Sequence, residues 1–350
     1  MIGMDGDFRI ARWKGPRSLL NQRVCRLRVV KQQDYDTRFL EYVLPGYLDA
    51  IHERTSSVTV KHLSSRTIGE IPVPRPSLGE QERIVETIEE QFSRLDAAVE
   101  SLQRAKRNLT RLRAAALGAA VDGRLRAGSQ EESTRTGLLS ENASGTAGRL
   151  PVGWRLVPLG SLASMSLGKM LDRKRQTGLD PVPYLRNVNV RWFGFDLSDL
   201  AVMDVAPFEF QRVSVLAGDL VVCEGGEPGR CAVWRGGPMA IQKALHRVRP
   251  ADGVMADYLA IVLRWWADRP EMDRFITGTT IKHVPKEKLQ LLRIPLPPSD
   301  EQGRIVTEVE RLFSIIDAMG QAIDSGPKRA GVLRQATLSR AFTGRLRVST

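Results

Sequence analysis

The segment Glu80-Gln81-Glu82-Arg83-Ile84-Val85 recurs 221 positions later as Glu301-Gln302-Gly303-Arg304-Ile305-Val306. Carried on without a gap, the offset aligns Phe92-Ser93 with Phe313-Ser314, Asp96-Ala97 with Asp317-Ala318 and Leu112-Arg113 with Leu333-Arg334. From Glu80 to Arg126, 19 of 47 positions are identical to their counterparts. Upstream, Trp13-Lys14-Gly15 matches Trp234-Arg235-Gly236, Arg26-Leu27-Arg28 matches Arg247-Val248-Arg249, and Lys61-His62 matches Lys282-His283. A two-residue slip then brings Ile71-Pro72-Val73-Pro74 onto Ile294-Pro295-Leu296-Pro297. The chain is a tandem duplication, and its fold must build one unit twice: a globular part, a Pro-rich hinge and a long helix.

The copies are unequal. Met1 aligns with Val222, whereas the second globular part begins near Leu150, so about 70 residues of the second copy lack a counterpart in the first. Either the first copy is shortened or its start lies further upstream. The expected layout is a partial globular domain at 1–76, a helix at 77–126, a linker at 127–149, a complete domain at 150–298 and a second helix at 299–347. The linker is rich in Ser, Gly, Thr and Glu and buries nothing.

From Glu80 onward apolar residues recur every three or four positions (Ile84, Ile88, Phe92, Leu95, Val99, Leu102), a helical period close to a coiled-coil seam. Ser77-x-x-Glu80 and Ser299-x-x-Gln302 each fit a capping box at the helix start. About 40 residues at ~1.5 Å each give a rod of roughly 60 Å. Each apolar stripe needs burial, and the other copy's helix in antiparallel pairing is the natural partner. In the second helix, Ser325-Gly326-Pro327 predicts a break or kink. Within 150–298, residues 213–222 predict a strand pair around a turn, 231–234 and 245–248 further strands, and 256–266 a helix. The fold class is α+β.

Composition narrows the function. Lys+Arg 52 against Asp+Glu 40 gives a net charge of +12, which points to a polyanionic partner, by default nucleic acid. The excess is +5 in residues 1–78 and +5 in 151–298, against +1 in 79–128 and +2 in 299–350. No uncharged apolar run reaches the roughly 18 residues of a membrane span. Three cysteines without C-x-x-C spacing fit a reducing cytoplasm, and four scattered histidines make a zinc site improbable.

No catalytic set emerges. Gly168-Lys169-Met170 lacks the rest of a phosphate loop, and Gly225-Gly226-Glu227-Pro228-Gly229 is not G-x-G-x-x-G, although its backbone is free to approach phosphate. Asp180-Pro181-Val182-Pro183-Tyr184 is spoiled as an amino-methyltransferase motif by its valine, and Asp172-Arg173-Lys174 has no second acid nearby for a nuclease metal. Nucleic-acid features are richer. Lys169, Arg173, Lys174 and Arg175 form a basic cluster suited to phosphates. The stretch 184–192 sets Arg186, Asn187, Asn189 and Arg191 among aromatics, and Arg and Asn read guanine and adenine by paired hydrogen bonds. A third polar, cationic loop carries Thr279, Thr280 and Lys282, echoed by Lys61 in the first copy. Arg230 and Lys243 complete the candidate DNA-binding set.

Taken together, the Ile-Pro-x-Pro…Glu-Gln-x-x-Ile-Val pattern at 71–85 and 294–306, Gly-Asp-Leu-Val-Val at 218–222 with Gly229-Arg230, and Gly-Arg-Leu at 123–125 and 344–346 resemble the specificity subunit of type I restriction–modification enzymes. The likeness spans almost the whole chain. It implies two target recognition domains, each reading half of a split DNA sequence, separated by two antiparallel coiled-coil helices. It also implies modification (methyltransferase) subunits using S-adenosylmethionine and restriction (motor-nuclease) subunits using ATP and Mg²⁺, with no catalysis and no cofactor in this chain. The departure is the first recognition domain, which lacks the portion equivalent to 151–221 and is expected to read DNA poorly unless completed. The rival expectation is a stand-alone or decayed DNA-binding or scaffold protein without a methyltransferase partner.

Overall fold

The computed structural model describes residues 1–55, 61–125, 150–172, 178–278, 280 and 282–342. The 127–149 linker, and Gly344-Arg345-Leu346, lie outside them. Two helices of 44 residues, Leu78–Val121 and Ser299–Phe342, dominate the chain. The chain divides into two compact units, residues 1–106 with 320–350 and residues 107–319, so each unit holds a globular copy and a part of both helices.

In the first unit the helix Thr37–Arg54 is capped by Asp36, whose carboxylate accepts the Arg38 amide at 2.7 Å. It buries Phe39, Val43, Leu44 and Leu48 against Ile84, Val85 and Ile88 of the first long helix. The end of the second long helix closes this core: Leu338, Ala341 and Phe342 join it, and Phe342 meets Phe39 edge to face at 5.6 Å. The second unit repeats the plan. Helix Ala256–Ala267 packs on Ile305, Val306 and Val309, and Leu117, Ala120 and Val121 complete the core. Leu117 and Ala120 sit 221 positions before Leu338 and Ala341. Each copy's core is thus finished by the last turns of the other copy's helix.

Antiparallel pairing is written in side chains. In the first unit Arg334 pairs with Asp96 and lies over the Phe92 ring at 5.2 Å, while Lys106 bonds Asp324 at 2.6 Å. In the second unit Arg113 pairs with Asp317 and lies over Phe313 at 4.6 Å. These are one contact with the copies' roles exchanged.

The second unit carries two four-stranded sheets among its described residues. One is antiparallel, in the order Cys231–Val233, Leu220–Cys223, Leu245–Pro250, Ala163–Leu167. The other is mixed, in the order Ala201–Asp204, Pro181–Leu185, Met239–Ile241, Ser214–Val215. Cys223 and Cys231 are free and buried, and burial pushes the Cys223 thiol up to about 11.

Three expectations need correction. Residues 213–222 do not form a paired hairpin: Ser214–Val215 and Leu220–Cys223 belong to different sheets, and the Ala217-Gly218 turn, closed by the Asp219 amide on Leu216 O, carries the chain from one to the other. Of the break or kink expected at Ser325-Gly326-Pro327, the break is absent: the second helix runs on through Pro327 to Phe342. A proline there forfeits one helical hydrogen bond, at about 3 kcal/mol. Packing of Leu102 onto Gly326 and the Lys106–Asp324 bond hold this stretch to the first helix. Finally, Gln302 makes no capping box with Ser299; its side chain is fully committed elsewhere.

That commitment explains the Glu-Gln motif. Gln302, buried, donates to Gly253 O and Pro297 O at 3.1 Å each and accepts the Met255 amide at 2.8 Å. Gln81, equally buried, donates to Asp34 O and Pro76 O and accepts the Asp36 amide at 3.0 Å. Met255 and Asp36 are the N-caps of the globular helices. In each copy one glutamine locks the Pro-rich hinge to the start of the domain helix.

Candidate nucleic-acid interface

Three segments distant in sequence meet in the second unit. The Asn187 side-chain amide donates to Gly225 O at 3.0 Å, and Arg230 donates back to Asn187 O at 3.0 Å. Gly225 forms a bridge with His283, which also bridges Thr277, and the Val284 amide bonds Glu224 O at 2.7 Å. The Arg-and-Asn stretch, the glycine-rich loop and the Thr/Lys loop therefore form one rim. Gly225 is required there: a Cβ would stand 2.8 Å from His283 Nδ1. The rim extends further, because the Glu224 amide bonds Ala244 O and the Lys243 amide bonds Lys169 O at 2.8 Å.

The candidate residues fall into distinct states. Lys243 and Thr280 are exposed on the rim. Lys282 is exposed and only loosely paired, 3.6 Å from Asp273. Arg191 pairs with Asp196 at 3.1 Å while remaining half exposed; the Ser198 hydroxyl and amide, then Arg191, hold the Asp196 carboxyl below the usual range. Arg230 is mostly covered, pairing with Glu227 at 2.8 Å, and Arg186 donates to Asp199 twice at 2.8 Å. Lys169 is ion-paired with Glu209, whose carboxyl it holds below the usual range, so it offers no free charge. In the first unit Lys61 donates to His52 O at 2.6 Å and keeps its charge. Arg173, Lys174, Arg175 and Thr279 lie outside the described residues.

Asn189 is the clear departure. It is 2% exposed, donates to Asp196 O and Asp199 O, and accepts the Arg186 amide at 2.9 Å, so it fixes the loop and has no group left for a base. Trp192 and Glu227 also belong to this site. Trp192 donates to Glu227 at 2.6 Å and carries Arg264 over its ring at 4.5 Å, orienting the carboxylate that holds Arg230. Only the aromatic next to Arg191 hinted at this.

The corresponding locus of the first unit has an acid in place of Gly225. Asp5 bridges His62, accepts or shares a proton with His62 Nδ1 at 2.7 Å, and pairs with Arg23. Among the described residues no group of three potential metal ligands occurs, and no helix is long and apolar enough to cross a membrane.

The sequence matches the family described as "Type I restriction modification DNA specificity domain" over residues 1–108 and 151–325. It is 31% identical over 355 residues to the type I restriction enzyme EcoBI specificity subunit of Escherichia coli, covering 99% of this chain and 73% of that protein. The EcoKI specificity subunit of E. coli (strain K12) is 22% identical, covering 86% and 63% of the two chains. Among solved structures, the HsdS subunit from Thermoanaerobacter tengcongensis shares the fold at a TM-score of 0.62 and 21% identity, covering 90% of this chain and 72% of that one.

Proposed function

Since this chain belongs to the type I restriction–modification DNA specificity family, we propose that it selects a DNA sequence and presents it to modification and restriction subunits. Reading is assigned chiefly to the second unit. The observation that carries this is the convergence of residues 186–192, 224–230, 277–278 and 282–284 into one rim. There, partly covered hydrogen bonds orient Asn187 and Arg230, while Lys243, Thr280 and Lys282 face solvent. Such a division suits DNA: cations at the rim meet phosphates and set the register, and oriented polar groups read base edges.

The first unit, with Asp5 at the locus that Gly225 occupies in the second, is assigned the weaker reading. Methyl transfer from S-adenosylmethionine and ATP- and Mg²⁺-dependent translocation and cutting belong to the partner subunits, leaving this chain non-catalytic and cytoplasmic.

The test is selection from a random duplex library with the chain co-purified with its modification subunit. A single half-site is the expected result and puts all specificity in the second unit. A split consensus with a fixed gap means that the first unit also reads. No enrichment overturns the proposal in favour of a scaffold or decayed protein.

A further inference from the structure

Among the described residues two that are not glycine have a left-handed backbone, and one of them, Phe193 at φ 62°, adjoins the rim. Arg191 pairs with Gly194 in the short hairpin of Val190–Arg191 and Gly194–Phe195, so Trp192 and Phe193 form its two-residue tip. A positive φ at the second residue of such a tip asks for Gly or Asn, yet the glycine stands one place later. A bulky ring there is strained and persists only where its surroundings fix it. The Phe193 amide donates to Cys231 O at 3.0 Å, and its ring meets Phe313 of the second long helix edge to face at 5.6 Å. Both rings line a cleft of about 490 Å³, and Phe193 stays 42% exposed, so burial alone does not account for the contact. The two copies differ here. Phe92, equivalent to Phe313, is met by Tyr42 of its domain helix at 5.8 Å. The residue equivalent to Tyr42 is Leu263, and in the second unit the hairpin tip supplies the ring instead.

We propose that Phe193 is a positioning residue for target reading: its strained backbone seats the ring on Phe313 and so ties the rim to the spacer helix. The tie reaches the readers through its neighbour. Trp192 donates to Glu227 at 2.6 Å, Glu227 pairs with Arg230 at 2.8 Å, and Arg230 donates to Asn187 O at 3.0 Å. Arg264 of the domain helix lies over the Trp192 ring at 4.5 Å, and Arg113 lies over Phe313 at 4.6 Å, so each ring of the tie is braced by a cation. A polar group discriminates between bases only if it is held in one orientation when the duplex arrives. The strain at Phe193 is the cost of that fixed orientation, which a glycine at the tip would not impose. The inference rests on the rim being the DNA-reading face, but the tie itself is measurable without DNA.

The test compares the full chain with Phe193→Gly, Phe313→Leu, the double variant and Phe193→Tyr. Hydrogen exchange is followed at the Gly229 and Arg230 amides, which bond Cys223 O and Glu227 O. Each of the first two substitutions is expected to speed exchange there about 5-fold, the worth of one aromatic pair. The double variant goes no faster than either single one, because both remove the same contact. Phe193→Tyr behaves as the parent, and Phe193→Gly keeps or raises the thermal midpoint, which a merely structural ring would not allow. Binding is then measured to the duplex recovered by the library selection and to the same duplex with one recognised base pair replaced. The preference between the two is expected to fall about 5-fold in both single variants. Exchange at 229–230 that ignores Phe313→Leu, or additive effects in the double variant, overturns the proposal, and so does faster exchange with undiminished preference. A parent chain that enriches no duplex overturns the DNA reading instead, and the exchange pattern then decides the tie by itself.

Discussion

Arg249 holds Asp219 through two hydrogen bonds of 2.7 Å, and the same carboxylate accepts the Leu216 amide at 2.7 Å. Asp219 is 2% exposed, while the Arg249 side chain keeps 40% of its surface in water. The pair pins the turn that carries the chain between the two sheets of the second unit. Removing either partner is therefore unequal in effect. Arg249→Met strands a buried carboxylate and is expected to lower stability by about 3 kcal/mol, at the lower end for broken buried pairs because water reaches the arginine. Asp219→Asn still accepts the Leu216 amide and leaves the cation partly hydrated, so about 2 kcal/mol is expected. Urea denaturation of the two variants measures the difference, and equal losses would contradict this asymmetry.

The two glutamine clamps make a paired prediction. Gln302→Leu leaves Gly253 O, Pro297 O and the Met255 amide without their partner, and Gln81→Leu does the same to Asp34 O, Pro76 O and the Asp36 amide. Each substitution is expected to destabilise by about 2–4 kcal/mol, since several buried polar groups lose their bonds at once. The glutamate beside them behaves differently: Glu80→Gln, at the exposed start of the first helix, is expected to shift stability by less than about 0.5 kcal/mol. Thermal and chemical denaturation of the three variants checks the contrast.

Acid sensitivity follows from His246, which is fully buried on the central strand with Nε2 2.9 Å from Val284 O and Nδ1 without a partner. Burial outweighs that bond and lowers its pKa. The unfolded chain thus takes up the proton first as the pH falls. The contribution of neutral His246 is present above its unfolded pKa of about 6.5 and is lost progressively below it. Strand register puts Cys25 at the equivalent place in the first unit. His246→Cys is expected to flatten the fall in stability below about pH 6.5, as measured by denaturation midpoints across a pH series.

What the sequence made legible follows from what is local. The duplication, both long helices, their antiparallel pairing and the domain helix at 256–267 rest on period and repetition, which tertiary context seldom overrides. Elsewhere tertiary contacts decide. Pro327 obeys packing rather than propensity, and the apolar run 213–222 serves two sheets because Asp219 turns it. Asn189, placed among the readers by its neighbours in sequence, is spent on carbonyls seven and ten residues away. The rim itself was present as three separate fragments, and only their bridges through Gly225 and His283 join them.

Gly225 gives the sharpest test of that rim. Alanine there brings a Cβ to 2.8 Å from His283 Nδ1 and displaces the loop whose carbonyl holds Asn187, so DNA affinity is expected to fall by about 10-fold or more. His283→Ala in the same chain makes room and is expected to return most of it. Gly225→Asp separates sterics from charge. In the first unit Asp5 occupies this place and bonds His62 Nδ1 at 2.7 Å, so a carboxylate with a turned imidazole is a structure the loop already adopts. The variant is expected to keep its thermal midpoint but to lose duplex binding, because a fixed negative charge then faces phosphate. Binding of short duplexes over a salt series, alongside thermal unfolding, reads both properties. Undiminished binding by Gly225→Asp would remove this rim from the DNA, whereas loss of binding with an intact fold would put the glycine-rich loop against the phosphate backbone.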